Sequence, residues 1–168
     1  MEIDELSKEQ IFAIELMARG ELAREKFDID SYLHFHFCIY KHEFDEHERV
    51  MLEAYFEEWN KPGEELRGVL NKAARGLRKS TDTIGFLLFV IGHYPNLSHL
   101  IIQARDDDAA KTGRFMGDII ESNAGWKACF PNVVPDKDRG WSLNGYYIKD
   151  TNIDYGEWVQ KSNNDHKR

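Results

Sequence analysis

Cysteine is scarce in this chain. Its two thiols, Cys38 and Cys129, stand far apart in sequence. Two isolated cysteines build neither a disulfide framework nor a zinc site, so a reducing cytoplasm is expected. Long apolar runs are missing as well. The longest, Ile84 to Ile91, is far shorter than the ~20 residues that a helix needs to cross a bilayer. The start, Met1-Glu-Ile-Asp-Glu5, has neither the basic residues nor the apolar run of a signal peptide. An excess of positive charge is also lacking. At a net charge of −8 there is no global attraction to nucleic acid or to an anionic membrane, so any DNA contact needs a local basic patch. Internal repeats and low-complexity segments are absent.

What is present fits one globular domain. The 168 residues include 42% hydrophobic and 31% charged side chains, enough apolar material for a real core. Residues 7–26 read as an amphipathic helix. Ser7 and Gln10 form a capping box, and Ile11, Ile14, Ala18 and Leu22 recur at helical spacing. Residues 30–42 are rich in aromatics and fit either helix or strand. His34, His36, His42 and Cys38 suggest a metal site there, but no CxxC or HxxxH pair supports it. Residues 44–60 form a second amphipathic helix through Leu52, Tyr55, Phe56 and Trp59, closed by Asn60-Lys-Pro-Gly63.

The stretch Asn71 to Thr81, Asn-Lys-Ala-Ala-Arg-Gly-Leu-Arg-Lys-Ser-Thr, carries the most chemistry. It follows a short apolar segment, Leu66 to Leu70, read as a strand. It precedes Thr81 to Tyr94, apolar on nearly every face and therefore a buried helix. A polyphosphate is held by inward backbone N–H groups, a helix N-terminus and an ammonium. A neighbouring hydroxyl can ligate Mg²⁺. Lys79 and Ser80 supply the last two groups. The match to G-x-x-x-x-G-K-[ST] is partial: Ala73 and Arg78 stand at the glycine positions, and Gly76 lies inside the loop. The plain alternative is a basic turn in which Ser80 or Thr81 caps the helix.

Downstream, Leu100-Ile-Ile102 reads as a buried strand. Asp106, Asp107 and Asp108 then open a helix over about 107–122, where acids suit the cap and first turn better than a metal. Strand, loop, helix, strand, helix predicts an α/β fold with a parallel sheet and crossover helices. From residue 123 the chain is loop-rich, with an edge strand at Gly145 to Lys149 and a polar tail, 161–168, expected to be disordered.

Taken in order, these motifs resemble the ATPase part of tailed-phage terminase large subunits, the DNA-packaging motors. Ala74-Arg-Gly-Leu-Arg-Lys-Ser-Thr81 is similar to their arginine-bearing P-loop. It is followed by the apolar helix ending in His93-Tyr-Pro-Asn96, by Leu100-Ile-Ile102, and by Phe130-Pro-Asn-Val-Val-Pro135 with Trp141-Ser142. The likeness covers roughly residues 30–150. It implies a P-loop NTPase (RecA/ASCE-like) three-layer core, incomplete, over residues 63–160, behind an N-terminal helical region, 1–62, whose His47 and Tyr55 match in place the residues on the adenine side. It implies ATP and Mg²⁺ as ligands, with Lys79 on the β/γ-phosphates and Ser80 on Mg²⁺. Gly76, Leu77 and Arg78 would offer backbone N–H groups, with Thr81 at the end of the motif. Arg75 would stabilise transition-state charge. Double-stranded DNA, the portal, the small terminase subunit and a homo-oligomeric ring are implied partners, in the cytoplasm of an infected bacterial host. No membrane is implied.

Two departures limit the activity expected. Arg78 replaces the small residue before the lysine, which predicts either a strained loop or one that approaches phosphate less closely. No apolar strand ending in paired acids (a Walker B) and no nuclease carboxylate cluster is visible. The expectation is a fragment that binds ATP without turning it over. Two other readings stay open: a small helical interaction protein with Arg75, Arg78 and Lys79 as a basic surface knuckle, and a piece of another P-loop ATPase such as a helicase.

Overall fold

The computed structural model describes residues 6–62, 69, 78–142 and 145–165, leaving aside the side chains of His47 and of residues 162–165. Helix α1 (Lys8–Glu25) starts as its cap predicts. The Ser7 Oγ accepts the Gln10 N–H at 3.2 Å, and the Gln10 Oε1 accepts the Ser7 N–H at 2.8 Å. Its buried stripe is Leu16, Gly20 and Ala23. The stripe with the stronger apolar repeat faces outward: Ile11, Ile14 and Leu22 are all exposed. Gly20 explains the choice. A Cβ there would lie 2.5 Å from the Ala128 carbonyl oxygen, so two helix backbones meet where a side chain has no room.

The aromatic stretch is helix α2 (Ile29–Tyr40), capped by Asp28, whose Oδ1 accepts the Ser31 N–H at 2.9 Å. It buries Tyr32, Phe35 and Ile39 on one side. Helix α3 (Glu46–Asn60) adds Leu52 and Phe56 to the same core. Helix α4 (Lys79–His93) runs through the middle, and Leu88, Phe89, Val90 and Ile91 are buried along it. Helix α5 (Asp106–Ser122) contributes Met116, Ile119 and Ile120. The short α6 (Ala124–Cys129) is capped by Asn123, whose Oδ1 accepts the Gly125 and Trp126 N–H groups. Arg24 closes its other end by donating to the carbonyls of Ala128 (2.6 Å) and Cys129 (3.2 Å).

Phe89 is the hub of the core. Its ring centroid lies 5.3 Å from Phe27, 5.4 Å from Tyr32 and 5.3 Å from Phe35. Phe130 and Trp126 continue the cluster to α6. The Trp126 Nε1–H, buried, donates to the Val133 carbonyl at 2.9 Å, which satisfies the one polar atom of that ring.

The remaining elements are small. Strand β1 (Val133–Pro135) pairs antiparallel with β4 (Ile148–Asp150), and β2 (Trp141–Ser142) pairs antiparallel with β3 (Gly145–Tyr146). Helix α7 (Tyr155–Asp165) anchors itself through Trp158, 1% exposed. It takes in residues 161–165, which the polar composition assigns to a disordered tail.

This architecture corrects the α/β expectation. The chain is mostly helical, and the two small sheets are both antiparallel. No parallel pair and no three-layer P-loop NTPase (RecA/ASCE-like) core is present among the described residues. The supposed strand Leu66 to Leu70 lies, except for Val69, outside those residues. Leu100-Ile-Ile102 is described and is not a strand: Leu100 and Ile102 are each 82% exposed, and Ile101 alone packs inward. The physical reason lies in α4. A helix apolar all round needs cover on every side, and here other helices supply it in place of a sheet. No helix among the described residues is long and apolar enough to cross a membrane.

Candidate functional site

The start of α4 presents different chemistry on its two sides. Arg78, the residue before the helix, has φ 48° and ψ 9°, the left-handed region. A non-glycine residue pays about 1–2 kcal/mol for that conformation. The side chain reaches acids at the start of the neighbouring helix α3. The Arg78 Nη1 lies 3.7 Å from the Glu48 Oε1 and 3.8 Å from the Asp45 Oδ2. Arg78 is thus turned toward α3. Neither Ser80 nor Thr81 caps the helix, because both lie inside its first turn. Thr81 is held from behind, where its carbonyl accepts the Tyr40 hydroxyl at 3.3 Å.

On the other side, Lys79 and Ser80 line a hollow of about 290 Å³. Thr83, Gln103 and Thr112 add polar groups to its wall, and Ile84 and Leu87 form part of its floor. The Gln103 Nε2 donates to the Thr112 Oγ1 at 2.8 Å, tying the 101–103 segment to α5. The Thr83 Oγ1 donates to the Lys79 carbonyl at 2.7 Å and is 2.8 Å from the Tyr55 hydroxyl. Four of the residues singled out from the motif, Arg78, Lys79, Ser80 and Thr81, therefore begin one helix, and Lys79 with Ser80 faces a cavity. Arg75, Gly76 and Leu77 lie outside the described residues. Among the described residues, no three Asp, Glu, His or Cys side chains gather to hold a metal. A Mg²⁺ at this hollow would therefore draw its ligands from nucleotide oxygens and the Ser80 hydroxyl.

Sequence reasoning missed the opposite side. Asp82 and Glu48 are 2% and 1% exposed. Neither Asp82 oxygen is hydrogen-bonded, and the buried Tyr32 hydroxyl is not either. Burial, and then the neighbouring Glu48 carboxylate, push Asp82 up to about 7, while Arg78 pulls the other way. The available signal was Asp82 itself, an acid in the apolar stripe that holds Gly85 and Phe89. His36 is also buried, with its ring 4.8 Å from that of His42. Burial, and then the nearby His42, hold it down to about 4.

These two shifts have opposite linkage. Folded Asp82 keeps its proton to about pH 7, whereas unfolded Asp releases it near 3.9. Between those values the folded state binds more protons, so this contribution to stability falls as pH rises. His36 behaves in reverse: its contribution is lost as pH falls from about 6.5 to about 4. Comparing Asp82→Asn with wild type cancels the His36 contribution. The variant should gain relative stability from pH 4 to pH 7, by at least ~1 kcal/mol. Urea unfolding at several pH values measures this, and a constant difference would contradict the assignment.

The two cysteines, far apart in sequence, are neighbours in the fold. Both are free thiols and both are buried. A hydrogen bond to Cys38, together with burial, raises the Cys129 thiol well above its usual range.

Comparison of the chain with protein-family models, with curated proteins and with solved structures finds no match to any of them.

Proposed function

We propose that the chain binds the phosphates of Mg·ATP at the start of α4, as the nucleotide-binding part of a DNA-packaging ATPase of the terminase type. One observation carries the reading: Lys79 and Ser80 open a 15-residue helix and line a cavity of about 290 Å³ that runs along the first turns of its flank. The first N–H groups of a helix have no intrahelical acceptor, and the helix dipole favours an anion there. Lys79 and the hydroxyl-bearing Ser80, Thr83 and Thr112, all among the lining residues, are of the types that a phosphate chain needs. The ordered likeness of residues 30–150 to terminases supplies the ATPase part of the proposal. DNA, the portal and the small subunit enter through that likeness alone. The parallel-sheet core is no part of it.

The proposal predicts binding without turnover. Among the described residues that line the hollow, none is a carboxylate that could activate water. Titration with a fluorescent ATP analogue tests the site. Lys79→Ala should weaken binding by about 10- to 100-fold, the loss of one charge-assisted contact. Equal affinities for the two proteins would remove the basis for the site.

A second reading is favoured by α1. Ile11, Ile14, Met17 and Leu22 are 47%, 53%, 65% and 43% exposed along one helix, the pattern of a helical interaction module. On that reading Ile14→Glu abolishes an association detectable by sedimentation, and Lys79→Ala leaves nucleotide affinity unchanged.

A further inference from the structure

We infer that a second hollow, adjoining the first, receives the base and ribose of the nucleotide, in place of the His47 and Tyr55 side that the terminase likeness implies. The inference rests on the proposed phosphate site. This cavity measures about 540 Å³ and lies between α4, the 95–101 segment, α5 and residues 145–148. Leu87 and Ile101 line both hollows, so the two adjoin along one side of α4. From Ser80 to Leu87 the helix rises about 10 Å. That span is comparable to the distance that ribose and an extended triphosphate put between a base and its terminal phosphate.

The two cavities differ in character, and the difference fixes an orientation. The first has Lys79 among the residues that line it. The second has Asp106, at the start of α5, with Ile91, Met116 and Tyr146 among the residues that line it. A carboxylate repels phosphate and accepts a hydrogen bond from an exocyclic amine. An apolar wall with an aromatic side chain suits the face of a purine. Phosphates therefore belong beside Lys79, and an amino-purine belongs beside Asp106.

Calorimetric titration with Mg·ATP, inosine triphosphate and inorganic tripolyphosphate separates this inference from the reading beneath it. Ala109 lies on α5 and lines the second cavity. Phenylalanine there fills the base site and leaves the Lys79 wall untouched. Wild type should bind ATP at least about tenfold more tightly than tripolyphosphate. Ala109→Phe should lower ATP affinity to the tripolyphosphate level and leave tripolyphosphate binding unchanged. Asp106→Asn, which keeps the shape, should erase the preference for ATP over inosine triphosphate. Unchanged ATP affinity in Ala109→Phe, with tripolyphosphate still bound, overturns the base site and spares the phosphate site. Tripolyphosphate binding that is absent, or equal in wild type and Lys79→Ala, overturns both.

Discussion

Replacing Phe89 with alanine is expected to lower the unfolding free energy by about 3–5 kcal/mol and the melting temperature by roughly 10 °C. Phe89 is 0% exposed and joins helices that come from distant parts of the sequence. Its ring stacks on Phe27 at an interplanar angle of 20° and meets Tyr32 edge-on at 89°. It also lies 6.1 Å from Phe56 on α3 and 6.3 Å from Phe130 beyond α6. Truncation removes all of these contacts at once and leaves a cavity that four rigid rings cannot close. Phe115 on α5 is the control. It is 44% exposed, so Phe115→Ala should cost less than about 1 kcal/mol. Similar losses for the two variants in urea unfolding would mean that the core is centred elsewhere.

Gly125→Ala is expected to be as damaging, by about 3 kcal/mol or more. A Cβ at Gly125 would lie 1.8 Å from the Cys38 carbonyl oxygen and 2.4 Å from its carbon. Both are backbone atoms, so no side chain can swing aside, and α6 must separate from α2. The thiols of Cys38 and Cys129 would part with them. Gly117 provides the contrast. Its Cβ would meet Trp141 and Tyr146 at 3.5 Å, an ordinary contact. In mid-helix, Gly117→Ala should then be neutral or stabilising by up to about 1 kcal/mol. Thermal melts of the two variants check the pair.

Local chemistry made several elements readable in the sequence. Ser7 and Gln10 mark the start of α1, and the periodicity of Leu52 and Phe56 marks α3. The apolar run through Ile84 and Ile91 marks α4. What pattern could not decide was which partner each element meets. Hydrophobicity favoured Ile11, Ile14 and Leu22 as the inner face of α1. The fold uses Leu16, Gly20 and Ala23, because α6 comes close enough to touch backbone. Leu100-Ile-Ile102 suits a strand or a loop equally well, since three apolar residues are too few to separate the periods. The α/β expectation rested on that segment, on Leu66 to Leu70, which lies except for Val69 outside the described residues, and on an all-apolar α4, which helices can bury as well as a sheet can.

The candidate site was legible to the same degree. Lys79 and Ser80 stood out because ammonium, hydroxyl and helix start are the groups that phosphate chemistry uses. Arg78 was marked as a misfit before the lysine, and its backbone is left-handed; the loop before it lies outside the described residues. The destination of its side chain, toward Asp45 and Glu48, depends on how α3 meets α4, and no local pattern records that. The buried pair of Asp82 and Glu48 was hidden for the same reason.

The phosphate site at the start of α4 is tested most directly by following backbone amide resonances while Mg·ATP is added to the protein. The Lys79, Ser80, Thr83 and Thr112 amides should shift together and saturate at one common concentration. Saturating shifts confined to other helices, or no shifts at all, would contradict it.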